Sequence, residues 1–115
     1  MDASVIDTGT FTDLQDTAGA DFVAELVGTF LEEAPGMLAE LRQARAAANG
    51  EAFRRAAHSL KSNGHTFGAV ELGALARALE LRGLAGDPAH DLAALDALDA
   101  AYAQVAEALR ALTHG

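Results

Sequence analysis

Apolar residues recur every three or four positions along most of this 115-residue chain. Such spacing places apolar side chains along one side of an α-helix, so it predicts helices separated by short turns. The clearest stretch lies near the C-terminus and consists of Leu95, Leu98, Tyr102, Val105, Leu109 and Leu112. It predicts a helix over about 88–113, with Asp87 as its N-cap and Pro88 as its first residue, where a missing N–H costs nothing.

The same pattern predicts three more long helices, over about 21–48, 51–67 and 70–84. Pro35 lies inside the first of them and should kink it. The apolar stripe nevertheless keeps its phase across the proline, which predicts one helix and not two. The members of that stripe are Val23, Leu26, Val27, Phe30, Ala34, Leu38, Leu41, Ala44 and Ala48.

Capping residues and glycines predict the remaining boundaries. A short first helix should have Thr10 as its N-cap and end at Gly19. Gly68 is the expected left-handed residue after the third long segment, and Gly83 and Gly86 should close the next. Because the connections are short, consecutive helices should be antiparallel neighbours. We therefore expect an all-α fold: a single domain over 1–115, built as an antiparallel up-down-up-down four-helix bundle with a short extra N-terminal helix.

The charge and composition of the chain limit the kinds of partner, covalent link and location that are expected for it. Seventeen acidic residues against eight Lys and Arg give a formal charge of -9, which argues against nucleic acid or an anionic membrane as partner. The chain has no cysteine, so disulfides and thiolate metal sites are excluded. Neither a signal peptide nor an apolar run of about 20 residues is visible. We expect a cytoplasmic monomer.

One face of the third segment carries the candidate chemistry. Its apolar residues fall on one side of the helix, and His58 lies about 140° away from them. The solvent face holds Arg54, His58, Lys61, Ser62 and His65. The stretch from 57 to 68 contains no acid, so we expect no carboxylate beside His58. A neutral imidazole is a good nucleophile near neutral pH, and the Lys61 ammonium could steady a phosphoryl group attached to it.

Other chemistry fits the sequence poorly. His58 and His65 are separated by about 10.5 Å along a helix, too far to share a metal. His90 and His114 show no ligand pattern, and no catalytic triad or phosphate-binding loop is visible. We interpret the acidic pairs Glu32/Glu33 and Asp96/Asp99 as solvated faces. Gly64 falls on the apolar side of the third segment and is interpreted as a point of close helix packing.

The segment His58-Ser59-Leu60-Lys61-Ser62, with Gly68 ten positions after the histidine, resembles the signature of a known family. The histidine-containing phosphotransfer (HPt) family of phosphorelays has His-x-Leu-Lys, then a small residue, then this glycine. The resemblance runs from about Phe11 into the last helix. Two departures are that the family often has Gly at the position of Ser62 and usually has a small residue at that of His65.

The resemblance implies a stoichiometric carrier with no kinase activity. His58 would accept a phosphoryl group and exchange it with an aspartate of a receiver domain, in a response regulator and/or a hybrid sensor histidine kinase. Lys61 and Ser62 would support the phosphate, and Arg54 and His65 would belong to the docking surface. The chain would need no cofactor of its own, since Mg²⁺ should come from the receiver. A helical adaptor without phosphorylation and a helical metal-binding protein remain as alternatives.

Overall fold

Five helices account for most of the chain in a computed structural model that describes residues 5–84 and 87–113. They are α1 (Thr8–Ala18), α2 (Ala20–Ala46), α3 (Gly50–Thr66), α4 (Val70–Arg82) and α5 (Pro88–Thr113). No strand occurs within those two ranges. The all-α prediction is confirmed. None of the described helices is both long and apolar enough to cross a membrane.

The four long helices form the predicted antiparallel bundle. Along α3 and α4, Arg54 lies beside Gly83 at one end while Gly64 lies beside Gly73 at the other, so the two helices run in opposite directions. Helix α5 returns to α2, where the Tyr102 hydroxyl donates to the carbonyl of Leu31. Each long helix therefore packs on its two neighbours, and α1 packs across α2 and α3.

The core is filled by large side chains from all five helices. The most deeply buried are Phe11, Phe53, Phe67, Leu41, Leu60, Leu72, Leu95, Leu98, Leu109, Val23 and Val27. Helix α2 continues through Pro35 as one helix, as its uninterrupted stripe predicts. The predicted apolar stripe is wrong at its C-terminal end, because Ala48 lies in the turn after α2 with φ 56° and is exposed. Leu112, the last member of the α5 pattern, is 38% exposed.

Glycine sets the separation of α3 and α4. A Cβ on Gly64 would lie 3.1 Å from the backbone N and 3.2 Å from the Cα of Gly73. The predicted close packing at Gly64 is thus confirmed, and its partner is a second glycine. Gly68 has φ 79°, as predicted for the residue that follows α3, and its carbonyl accepts the N–H of Asp7 at 2.7 Å.

The start of α1 differs from the sequence prediction. Asp7, not Thr10, is the N-cap: its carboxylate accepts the N–H of Gly9 at 3.2 Å and the hydroxyl of Thr10 at 2.8 Å. An ionised carboxylate is a strong acceptor for the free N–H groups of a helix start, and the helix begins three residues earlier than predicted. Ile6 and Phe11 are both buried around this cap, in the positions of a hydrophobic staple.

The other helix ends lie closer to the positions predicted from the sequence. Helix α4 ends at Arg82, two residues before the predicted end, and Gly83 follows with φ 66°. Gly86 lies outside the described residues. Asp87 caps α5 as predicted and accepts the N–H of Ala89 at 3.1 Å.

The acidic pair Asp96/Asp99 is not simply solvated. Both carboxylates accept hydrogen bonds from the Arg42 guanidinium, at 2.9 and 2.5 Å, and tie α5 to α2. These bonds raise the pKa of Arg42, with Asp99 as the larger cause. The interpretation as a solvated face holds for Glu32 and Glu33, which are exposed.

Candidate functional site

His58 lies in the middle of α3 on the side predicted from the sequence. Its side chain is 58% exposed, whereas Phe53, Ala57 and Leu60 on the opposite side are buried. This face exists because α3 has polar residues at 58, 61, 62 and 65, while Leu60 and Gly64 between them fall on the buried side. The buried side anchors α3 on its neighbours and leaves the imidazole accessible to a partner.

A carboxylate from α4 lies directly beside His58. Oε2 of Glu80 is 2.8 Å from Nδ1 of His58, and Oε1 is 2.8 Å from Nζ of Lys61. The expectation of no carboxylate beside His58 is therefore wrong. Antiparallel packing of α4 on α3 brings in a residue that lies 22 positions further along the chain.

The contact with Glu80 determines which nitrogen of the His58 imidazole has an available lone pair. The hydrogen bonds from Lys61 and, to a smaller extent, from His58 hold the pKa of Glu80 below its usual range. An ionised carboxylate can only accept, so Nδ1 of His58 must carry the proton that it donates. The lone pair of the neutral ring then lies on Nε2. Glu80 thus selects the tautomer whose nucleophilic atom is Nε2.

Lys61 and Ser62 follow His58 at the two positions that face it on the helix surface. Lys61 is 23% exposed and its ammonium shares the Glu80 carboxylate with the imidazole. Ser62 is exposed and small, so it leaves room for a group approaching the ring. The structure therefore brings His58 and Lys61 together through a common acceptor that local sequence did not reveal.

Arg54 and His65 lie at the two ends of this face, Arg54 over Gly83, which follows α4, and His65 over Gly73 within α4. A Cβ on Gly83 would lie 3.2 Å from Nη2 of Arg54, and one on Gly73 would lie 2.5 Å from Cδ2 of His65. Both side chains are exposed. The absence of a side chain at these two glycines leaves room for Arg54 and His65.

The described ranges contain no cluster of side chains that would support a metal site. No group of three or more His, Asp or Glu side chains converges there. His90, which shows no ligand pattern in the sequence, is exposed on α5. His114 lies outside the described residues.

A family model described as the Hpt domain matches residues 25–108. This chain belongs to the Hpt domain family. The match covers well over half of the chain, includes α3 and α4 completely and leaves α1 outside. Hpt domains are phosphocarrier modules that work with receiver domains and kinases, and membership of the family implies histidine phosphotransfer in a phosphorelay. No curated protein and no solved structure matched the chain.

Glu80 is the site residue of this Hpt domain that sequence reasoning missed, although a signal for it exists. The α3–α4 turn is centred near Gly68, which is ten residues after His58 and twelve before Glu80. An antiparallel pair around that turn puts the two residues at about the same level. Glu80 also follows the inward Leu79 by one position, which rotates it by about 100° toward a neighbouring helix.

Proposed function

We propose that His58 carries a phosphoryl group on Nε2 and exchanges it with the aspartate of a receiver domain, in a response regulator or a hybrid sensor histidine kinase. The observation that supports this most strongly is the 2.8 Å contact between Nδ1 of His58 and the Glu80 carboxylate. It leaves an exposed imidazole with its lone pair on the distal nitrogen, next to a lysine.

The transfer is a balanced exchange of bonds at phosphorus. The Nε2 lone pair attacks the phosphorus of an aspartyl phosphate, and the P–N bond forms as the P–O bond to the aspartate breaks. The aspartate leaves with that electron pair as a carboxylate. Nδ1 keeps its proton throughout, and Glu80 offsets the positive charge that develops on the ring. The reverse reaction follows the same path.

Lys61 and Ser62 support the phosphoryl group, while Arg54 and His65 belong to the docking surface. An arriving phosphoryl group offers the Lys61 ammonium a second acceptor beside Glu80, and neutralisation of its charge is what phosphoryl transfer chiefly requires. The Mg²⁺ and the acids that bind it come from the receiver domain. The cytoplasmic location, the monomeric state, the absence of kinase activity and the extent of the single domain over 1–115 stay predictions.

Chemical labelling tests the proposal. Potassium phosphoramidate should phosphorylate this protein on one residue; Nε2 of His58 takes the phosphoryl group and ammonia leaves with the electrons of the broken P–N bond. The label should be acid-labile, and nitrogen NMR should place it on Nε2. His58→Gln should fold normally and take up none. Undiminished labelling of that variant, or a label on Nδ1, would contradict the proposal, and an adaptor without phosphorylation would exchange no phosphoryl group with any receiver.

A further inference from the structure

Charge is distributed unevenly over the bundle. Helix α3 carries Arg54, Arg55 and Lys61 against Glu51, a formal balance of +2 in a chain of -9. Helix α2 has five acids against two arginines, and α5 has four acids against one arginine. The charges of α4 cancel. Among the helices of the described ranges, His58 therefore lies on the one with a positive balance.

The two helices that flank α3 give its exposed face two different borders. On the α2 side the border is acidic. Phe30 of α2 faces the core and contacts both Phe67, which follows α3, and Tyr102 of α5, whereas Arg42 turns toward α5. The helical phase puts Glu33 and Glu40 on the other side of Phe30 from Arg42, which is the side of α2 nearest α3. Both glutamates are exposed. A negatively charged partner would be repelled along this border.

The border on the α4 side is cationic and apolar. Glu80 faces α3, and Arg77 lies one turn before it on the same side of α4. Leu81 is next to Glu80 in the outward direction and therefore at about the level of His58. It is 68% exposed, more than any other large apolar side chain of the described residues. The carboxylate of Glu80 is already paired with the Lys61 ammonium and hydrogen-bonded to His58.

From these two borders we infer that the acidic phosphoacceptor face of a receiver domain docks across α3 and α4, with Leu81 as its apolar anchor and Arg77 as its electrostatic contact, and that it avoids α2. This inference rests on the proposed function. Opposite charge accelerates encounter, and an exposed large side chain that becomes buried on binding supplies affinity. Leu81 and Arg77 would thus decide which receivers this protein serves.

Two variants with matched controls test the inference. Arg77→Glu and Leu81→Ala change the α4 border; Arg110→Glu and Leu92→Ala make the same changes at exposed positions of α5. All four proteins are first labelled with potassium phosphoramidate. Transfer is then timed to the receiver domain that accepts phosphate fastest from the wild-type protein among those of the source organism.

All four variants should label at the wild-type rate, because the small donor needs no docking. Arg77→Glu and Leu81→Ala should each lower the second-order transfer rate constant by about tenfold, and the effect of Arg77→Glu should shrink as salt is raised. The two controls should stay within about twofold.

The possible failures are distinguishable. Wild-type protein that takes no label on His58 would overturn the proposed function itself. Normal labelling with transfer from Arg77→Glu and Leu81→Ala equal to that of the controls would overturn docking on α4 and leave the function standing. Self-association in sedimentation that Arg77→Glu abolishes would identify a second copy of this chain as the occupant and overturn the inference.

Discussion

At the scale of single residues, the Glu80 carboxylate contacts two candidate phosphotransfer groups at once. It accepts from Nδ1 of His58 and from the ammonium of Lys61. The first contact fixes the tautomer of the imidazole. The second keeps a cation within reach of the atom that would carry phosphate.

Replacement of Glu80 should slow phosphorylation of His58. In Glu80→Gln the side chain can donate as well as accept, so Nδ1 no longer has to carry the proton and part of the population has its lone pair there. We expect labelling by phosphoramidate to fall by roughly threefold to tenfold, an activation cost of about 0.7–1.4 kcal/mol. Nitrogen NMR of His58 should show a mixed tautomer. Glu71→Gln, an exposed change on the same helix, is the control and should alter neither measurement.

The tie between α3 and α4 through Glu80 should depend on pH. The pKa of Glu80 is lower in the folded protein than its usual value, so this stabilisation is present above the usual value. It is lost as pH falls through the lowered folded value. The melting temperature of the wild type should therefore exceed that of Glu80→Gln at neutral pH, and the two should converge in acid. A constant difference down to pH 3 would show that the ion pair does not contribute.

Loss of Lys61 should slow transfer without unfolding the protein. The variant loses the ion pair with Glu80, which should lower stability modestly, whereas the larger effect should come when the phosphoryl group arrives and lacks the Lys61 charge. Lys61→Ala should lower the transfer rate by about tenfold, about 1.4 kcal/mol in activation free energy. Arg55→Ala, an exposed cation on the same helix, is the matched control. Equal rates for the two variants would contradict a role for Lys61 at the phosphate.

At the scale of helices, the close approach of α3 and α4 positions the site. Gly64 and Gly73 let the two backbones meet, and the same pair of helices then places Glu80 beside His58. The site thus depends on a packing contact about 1.7 turns away along α3.

A side chain at residue 64 should therefore disturb both stability and the site. In Gly64→Ala the new Cβ would press on the backbone of Gly73, which cannot move without shifting α4. We expect a loss of about 1–3 kcal/mol in the free energy of unfolding and a weaker contact between His58 and Glu80. Gly28→Ala is the control: nothing lies within 4 Å of its Cβ, and alanine should stabilise α2 by about 0.5–1 kcal/mol. Equal melting temperatures would contradict this account.

At the scale of the whole molecule, one buried acid links three helices. Asp91 at the start of α5 has a side chain that is 4% exposed, and it lies 3.3 Å from Arg82 of α4 and 3.9 Å from Arg45 of α2. Oδ1 of Asp91 has no hydrogen-bond partner in the described part of the chain, so charge attraction is the main tie. This cluster holds the end of the bundle at which α4, α5 and the end of α2 meet.

Removal of the Asp91 charge should destabilise the packing of α2, α4 and α5 at that end of the bundle. Asp91→Asn leaves two arginines close together without a counter-charge, and we expect a loss of about 1–3 kcal/mol in the free energy of unfolding. Asp96→Asn provides the control, because Asp99 still binds Arg42 and the position is exposed. Chemical denaturation measures both. A loss no larger than that of the control would show that Asp91 is dispensable.

The sequence by itself determined the helices and the exposed side of α3. Helical periodicity is a local property: residues three or four positions apart share a face whatever the rest of the chain does. Capping at Asp87 and the left-handed turn at Gly68 were predictable for the same reason. The start of α1 was missed because two polar residues competed for one cap, and the carboxylate of Asp7 prevailed over the hydroxyl of Thr10.

Only the tertiary structure decided which side chains meet. Glu80 beside His58, Asp96 and Asp99 on Arg42, and Gly73 against Gly64 each join residues from different helices. Such contacts depend on the register and rotation of one helix against another. That register follows from the packing of the whole core, so the sequence around His58 predicted the exposed nucleophile but not the carboxylate that orients it.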